Sequence, residues 1–233
     1  MKPEIAGLIE LSRFYGNNNE YVIAGGGNTS YKDGQTIWIK ASGQPLATLN
    51  ESGLVALNRE KLHLISEKQY SDDPTVREDQ VKTDMFNSII DKNQNLRPSV
   101  ETSLHNLIRY KFVVHLHSTH SVAVSVLADA DPANVLPPLT AYYAMRIGTL
   151  PLVPYFAPGD AALANAVAGF ASRHHAMLLS NHGPVVSGAS LDAAADAIEE
   201  LEATARLWLL VRHEHVRPLD AAALADIARR FPR

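Results

Sequence analysis

Apolar residues recur at two different periods along this chain, and the changes of period predict its elements. Ile5, Leu8, Ile9 and Leu11/Ser12 share one face of a helix over 3–15, which Gly16-Asn17-Asn18-Asn19 stops. Asp33-Gly34 is a hairpin signal, followed by the alternating strand Thr36-Ile37-Trp38-Ile39-Lys40. Leu54-Val55-Ala56-Leu57 reads as another strand, and 76–91 as a helix after the cap-rich Ser71-Asp72-Asp73-Pro74. A short helix over 100–109 leads into the apolar run Phe112-Val113-Val114, which ends in His115-Leu116-His117. Beyond it come a helical stretch from Ser121 to Leu127, the breaker Asp131-Pro132, and an alanine-rich helix from Ala161 to Ser172. The buried strand Ala176–Leu179 then runs into Ser180-Asn181-His182-Gly183, and Val185-Val186 continues as a strand to Gly188. The longest helix spans 190–213, with Leu191, Ala195, Ile198, Leu201, Ala205 and Trp208/Leu209 on its packed face, and a last helix follows Pro218. Hairpins early and helices late favour an α/β class with a mixed, mostly antiparallel central sheet flanked by helices.

Composition narrows the possibilities. At 233 residues with 46% hydrophobic content, the chain suits a single domain over 1–233 with a full core. A net charge of −4 leaves no basic surplus for nucleic acid. No apolar run approaches the roughly 18–20 residues that span a bilayer. The absence of cysteine removes disulfides and thiolate ligands, so a cytoplasmic location is expected.

The candidate chemistry begins at the histidine strand. Side chains alternate along a strand, so His115 and His117 project together while Leu116 turns back into the core. Two adjacent neutral imidazoles are half of a metal site, although the same pair also occurs where a core strand simply surfaces. His105, His120 and His182 are the candidates for a third ligand. His120 lies just past the strand, and His182 sits at the end of a different strand; spacing alone does not choose between them. Glu101 starts a helix behind Arg97-Pro98-Ser99, where it either serves chemistry or complements the helix dipole with Ser99 as N-cap. Gly27-Asn28-Thr29 and Ser42-Gly43 offer open backbone N–H groups suited to phosphate, and Ser99 could add a donor. Their spacings match neither a dinucleotide fingerprint nor a P-loop.

In this order, Gly27-Asn28-Thr29-Ser30, Ala41-Ser42-Gly43, Pro98-Ser99-Val100-Glu101, His115-Leu116-His117 with His120, and Asn181-His182-Gly183 resemble the class II aldolase/adducin family. The resemblance runs from about residue 20 to 190 and is of the L-fuculose- and L-rhamnulose-1-phosphate aldolase type. It implies a three-layer α/β/α fold. It makes His115, His117 and His182 the ligands of zinc, with manganese or cobalt as alternatives, and sets His120 aside. It also implies Glu101 as catalytic acid/base, Tyr142 (or Tyr143) as proton donor, and Gly27, Asn28, Ser42, Gly43 and Ser99 as phosphate contacts. Three departures stand out. Val100 replaces a second serine of the fuculose-type enzymes, the segment from Glu101 to His115 is shorter, and no tyrosine follows Tyr155.

The expected reaction is retro-aldol cleavage of a ketose 1-phosphate to dihydroxyacetone phosphate and an aldehyde, in a homotetramer with sites between subunits. A glutamate at 101, where the 4-epimerases carry aspartate, favours the aldolases but leaves a dehydratase or decarboxylase open. The alternative of another class is an adducin-like interaction domain without metal.

Overall fold

The computed structural model describes residues 1–157 and 160–232. Among the described residues seven strands form one sheet: β1 (Asn28–Lys32), β2 (Thr36–Lys40), β3 (Leu54–Asn58), β4 (Phe112–His115), β5 (Leu152–Val153), β6 (Ala176–Leu179) and β7 (Gly183–Gly188). Their order is β3-β2-β1-β4-β7-β6-β5, and every pair is antiparallel except β5–β6. The mixed, mostly antiparallel sheet of the sequence reading is therefore the one observed.

Nine α-helices lie among the described residues: α1 (Pro3–Gly16), α2 (Arg59–Glu67), α3 (Pro74–Asn87), α4 (Thr102–Leu107), α5 (Thr119–Ser125), α6 (Ala141–Arg146), α7 (Ala161–Ala171), α8 (Leu191–Val211) and α9 (Ala221–Arg230). α1 and α8 cover one face of the sheet around Leu8, Val114, Val186, Ile198 and Leu201. α2, α4 and α7 cover the other, where Leu62 packs on Ile37 and Val55, and Leu104 and Val167 pack on Val113 and Val185. Burial of apolar side chains on both faces explains why β1 and β7 are buried along their whole length. None of the described helices is long and apolar enough to cross a membrane.

The boundaries depart from the sequence reading in informative ways. α2, α6 and β5 were not expected; each is short, and each is defined by what it packs against. The turn between β1 and β2 is wider than two residues, because the Asp33 carboxylate accepts hydrogen bonds from the N–H groups of Gln35 (3.0 Å) and Thr36 (2.8 Å). On α8 the buried alanines are Ala194, Ala197 and Ala205, and Ala195, expected on the packed face, is half-buried. The histidine strand stops at His115. Beyond it Leu116 N–H donates to Pro184 O (3.3 Å) and His117 N–H to Tyr21 O (3.1 Å), so a loop takes over the role of the ladder.

Lys32 on β1 is 4% exposed, and its ammonium donates to the carbonyls of His105 (2.6 Å), Asn106 (3.3 Å) and Ile108 at the end of α4. These acceptors occupy all three of its donors and complement the negative end of the helix. Burial, reinforced by the charge of Arg59, pulls its pKa down to about 7 from an ordinary 10.5. Between those two values the unfolded chain holds a proton that the folded chain releases, so Lys32 adds stability as pH rises through that window. We expect the advantage of wild type over Lys32→Met in urea unfolding to grow by about 2 kcal/mol from pH 7 to pH 9. A difference that stays flat or shrinks over that range contradicts this assignment.

Candidate metal and acid–base site

The site forms at one edge of the sheet, where β1 and β7 begin and β4 ends. Asn28 pairs with His115 across β1 and β4, and His115 pairs with Val185 across β4 and β7. Antiparallel pairing thus brings the Asn181-His182-Gly183 turn against the end of the histidine strand. Asn181 sits in the left-handed region (φ 55), which asparagine tolerates better than most residues. A Cβ on Gly183 would run into Leu116 O, so only glycine lets the turn approach this closely. Gly26 plays a similar part, because a Cβ there would lie 2.7 Å from His117 Nδ1.

The three imidazoles cluster tightly. Ring centroids are 5.2 Å apart for His115–His117, 4.8 Å for His115–His182 and 4.9 Å for His117–His182. One nitrogen from each lies within 4.8 Å of the others. Among the described residues this is the group of three or more such side chains able to hold a metal ion. His115 Nδ1 lies 2.9 Å from Pro184 O, so Nδ1 carries the proton and the Nε2 lone pair faces the cluster. Burial, with the charge of the neighbouring imidazoles added, pulls His117 down to about 4 and lowers His182 as well. At His115 burial is outweighed by the charge of Glu101, which raises the pKa; in their deprotonated form the three imidazoles are the nitrogen donors that divalent zinc-like ions take.

Glu101 completes the arrangement. It is the N-cap residue of α4, which starts at Thr102 rather than at residue 100, and its carboxylate makes no capping bond. Instead Oε1 lies 3.3 Å from His115 Nε2 and 3.4 Å from His182 Nε2. Asn28 Nδ2 donates to Glu101 Oε2 and to Ser99 Oγ (3.1 Å). Burial raises the Glu101 pKa, but the adjacent imidazoles, His115 first, hold it well below the usual carboxylate range. At neutral pH it rests as a carboxylate, 7% exposed, inside the site.

The loops expected to meet phosphate converge on the same edge. Ser42 N–H donates to Arg97 O (2.8 Å), Ala41 bridges Pro98, and Asn28 reaches Ser99. Gly27 (φ 69) and Gly43 (φ 79) both adopt conformations that favour glycine. Val100 is 42% exposed and lines a cavity of about 500 Å³ with Arg77, Lys82, Arg97, Ser99 and Asp160.

Other candidates lie elsewhere. His120 is held by Glu202, whose Oε1 is 2.8 Å from Nδ1 and accepts the His120 N–H, while Oε2 accepts from Ser121 N–H and Oγ. Glu202 thus caps the first turn of α5, and His120 stays outside the cluster. His105 is fully buried with Nδ1 2.8 Å from Ser30 Oγ. Tyr142 is 48% exposed on α6, where its hydroxyl accepts a hydrogen bond from Arg146 (3.2 Å), and Tyr143 is buried. No described contact within this chain joins either tyrosine to Glu101. The sequence reading missed Lys40 as a member of this edge and Glu202 as the partner of His120.

Residues 6–209 match the family model described as the class II aldolase and adducin N-terminal domain. The chain belongs to that family. Among solved structures, YgbL from Klebsiella pneumoniae is similar with a TM-score of 0.78 and 30% identity, covering 96% of this chain and 97% of that one. An L-fuculose 1-phosphate aldolase shares the fold, with a TM-score of 0.77 at 19% identity over 100% of this chain and 98% of that one. Curated relatives include the 3-oxo-tetronate 4-phosphate decarboxylase of Pectobacterium atrosepticum, 45% identical over 137 residues, which are 57% of this chain and 63% of that protein. The chain therefore spans less than two thirds of the length of that relative. Its name overturns the expected retro-aldol cleavage of a ketose 1-phosphate and favours the decarboxylase that the sequence reading held as an alternative.

Proposed function

We propose that this protein is a metal-dependent decarboxylase acting on a 3-oxo-tetronate 4-phosphate. Loss of CO2 from C1 of such an acid, with a proton added at C2, leaves dihydroxyacetone phosphate. The observation that carries the reading is Glu101 Oε1 lying within 3.4 Å of two imidazole nitrogens, in a chain with several curated relatives that bear that name.

His115, His117 and His182 are the proposed ligands of a divalent ion, zinc with manganese or cobalt as alternatives. Such an ion supplies Lewis acidity, worth several kcal/mol, toward the negative charge that develops on the substrate oxygens as CO2 departs. The Pro184 carbonyl fixes the tautomer of His115 and so the lone pair it presents. Glu101 relays a proton from solvent to C2 as CO2 departs and returns to the carboxylate in which it rests, and Asn28 holds its far oxygen so that Oε1 faces the reacting carbon. Gly27, Asn28, Ser42, Gly43 and Ser99 bind the phosphate end, which orients the reacting end and contributes no chemistry of its own. The proton donation to a departing aldehyde expected of Tyr142 falls with the aldol reaction. A cytoplasmic homotetramer remains part of the proposal.

Metal-loaded protein with a 3-oxo-tetronate 4-phosphate is expected to release CO2 and dihydroxyacetone phosphate in equal amounts. The same acid without its phosphate is expected to lose at least about a hundredfold in kcat/KM. Release of CO2 no faster than the uncatalysed loss from this 3-oxo acid overturns the reading.

A further inference from the structure

Among the described residues β1 holds α4 at three points. Side chains two apart along a strand share a face, and Asn28, Ser30 and Lys32 all turn toward this helix. Asn28 Nδ2 donates to Glu101 Oε2 just ahead of it, and Lys32 Nζ donates to the carbonyls at its end. Between them Ser30 Oγ lies 2.8 Å from His105 Nδ1. The first contact fixes one oxygen of the carboxylate, and the last sets a charge against the negative end of the helix. The middle one has had no part in the site so far.

The helix itself needs such a hold. α4 has six residues, Thr102–Leu107, too few to keep a shape by their own backbone bonds. Glu101 stands directly before it, and the His105 N–H donates to Glu101 O (3.1 Å), so wherever α4 lies the carboxylate follows. Ser30 and His105 are both fully buried, and burial pushes the His105 pKa down to about 3, which leaves the ring neutral. Its Nε2 is buried with no hydrogen-bond partner among the described residues, at a cost to stability. An apolar side chain would fill the space without that cost, as the neighbouring Leu104 does. An apolar contact tolerates sliding of the helix along the sheet, whereas a directional bond between two buried atoms admits one register.

We propose that Ser30 and His105 are positioning residues, whose hydrogen bond locks α4 onto β1 and so sets where the Glu101 carboxylate stands against His115 and His182. The proposal rests on the acid–base role given to Glu101 above. It adds no group to the metal ligands or to the phosphate contacts.

Variants that break the bond from either side test it. Ser30→Ala removes one oxygen and leaves the backbone pairing of residue 30 with Ile39 and Val113. His105→Leu breaks the bond from the helix, and His105→Asn keeps an amide where Nδ1 stands. With metal-loaded protein and a 3-oxo-tetronate 4-phosphate, Ser30→Ala and His105→Leu are each expected to lower kcat at least about tenfold. KM and metal content are expected to stay within about twofold of wild type, and His105→Asn to recover kcat to within about threefold. Made on top of Glu101→Gln, Ser30→Ala is expected to lower kcat no further, because it acts through that carboxylate. An unchanged kcat in Ser30→Ala overturns the inference. So does a loss that repeats in full on the Glu101→Gln background, which makes the pair a general support of the fold. Wild type that releases no CO2 overturns the function above instead, and crystals of either bond-breaking variant then decide the inference without turnover. Glu101 Oε1 displaced by more than about 0.5 Å from its wild-type place supports it, and Oε1 closer than that overturns it.

Discussion

Replacing Glu101 with glutamine is expected to lower kcat by about a thousandfold, within the range that positioned acid–base groups supply. Glutamine has nearly the shape of glutamate, and its amide oxygen can still accept the Asn28 Nδ2 hydrogen bond. What it cannot do is take up and release a proton. The imidazoles of His115, His117 and His182 are untouched, so metal content is expected to stay near that of wild type. Measuring turnover and bound metal on the same preparation separates the two roles. An active Glu101→Gln protein removes the proposed proton carrier, whereas an inactive one that has also lost its metal makes Glu101 a ligand instead.

Replacing His182 with alanine gives the second large effect. It removes one of three donors and is expected to weaken divalent metal binding by at least about a hundredfold, with activity lost in parallel. Elemental analysis after dialysis against a weak chelator reads this directly. His120→Ala is the matched control: its imidazole is tied to Glu202, 2.8 Å away, and metal content is expected to be unchanged. Should His120→Ala lose metal while His182→Ala keeps it, the ligand set proposed here is wrong.

These two variants also mark how far the site was legible beforehand. His115 and His117 announce themselves, because alternation along a strand is a local rule that survives into the fold even though β4 ends at His115. The choice between His120 and His182 is different in kind. Residues 115 and 182 are far apart in sequence, and only the antiparallel register of β4 on β7 brings their Nε2 atoms to 3.3 Å. By position alone Glu101 was either a first-turn acid or a catalytic group, and the family resemblance pointed to the second. Its service to the site follows from α4 starting at Thr102, which leaves the carboxylate off the helix and aimed at the histidines. Lys40 was visible only as the polar end of a strand. Its burial and its hydrogen bond to Gln44 O belong to the fold and are not displayed by a sequence.

By itself the sequence determined the strands with strong β-formers, the long helices with one apolar face, and the pair of histidines that end a buried run. Those features rest on period and local propensity, which neighbouring residues settle among themselves. The tertiary structure alone decided the strand order, the short elements α2, α6 and β5, and the convergence of three imidazoles from distant segments on one point. Each of these depends on which distant segments share a face or an edge. That is decided by burying both faces of one sheet together, and no window along the chain contains it.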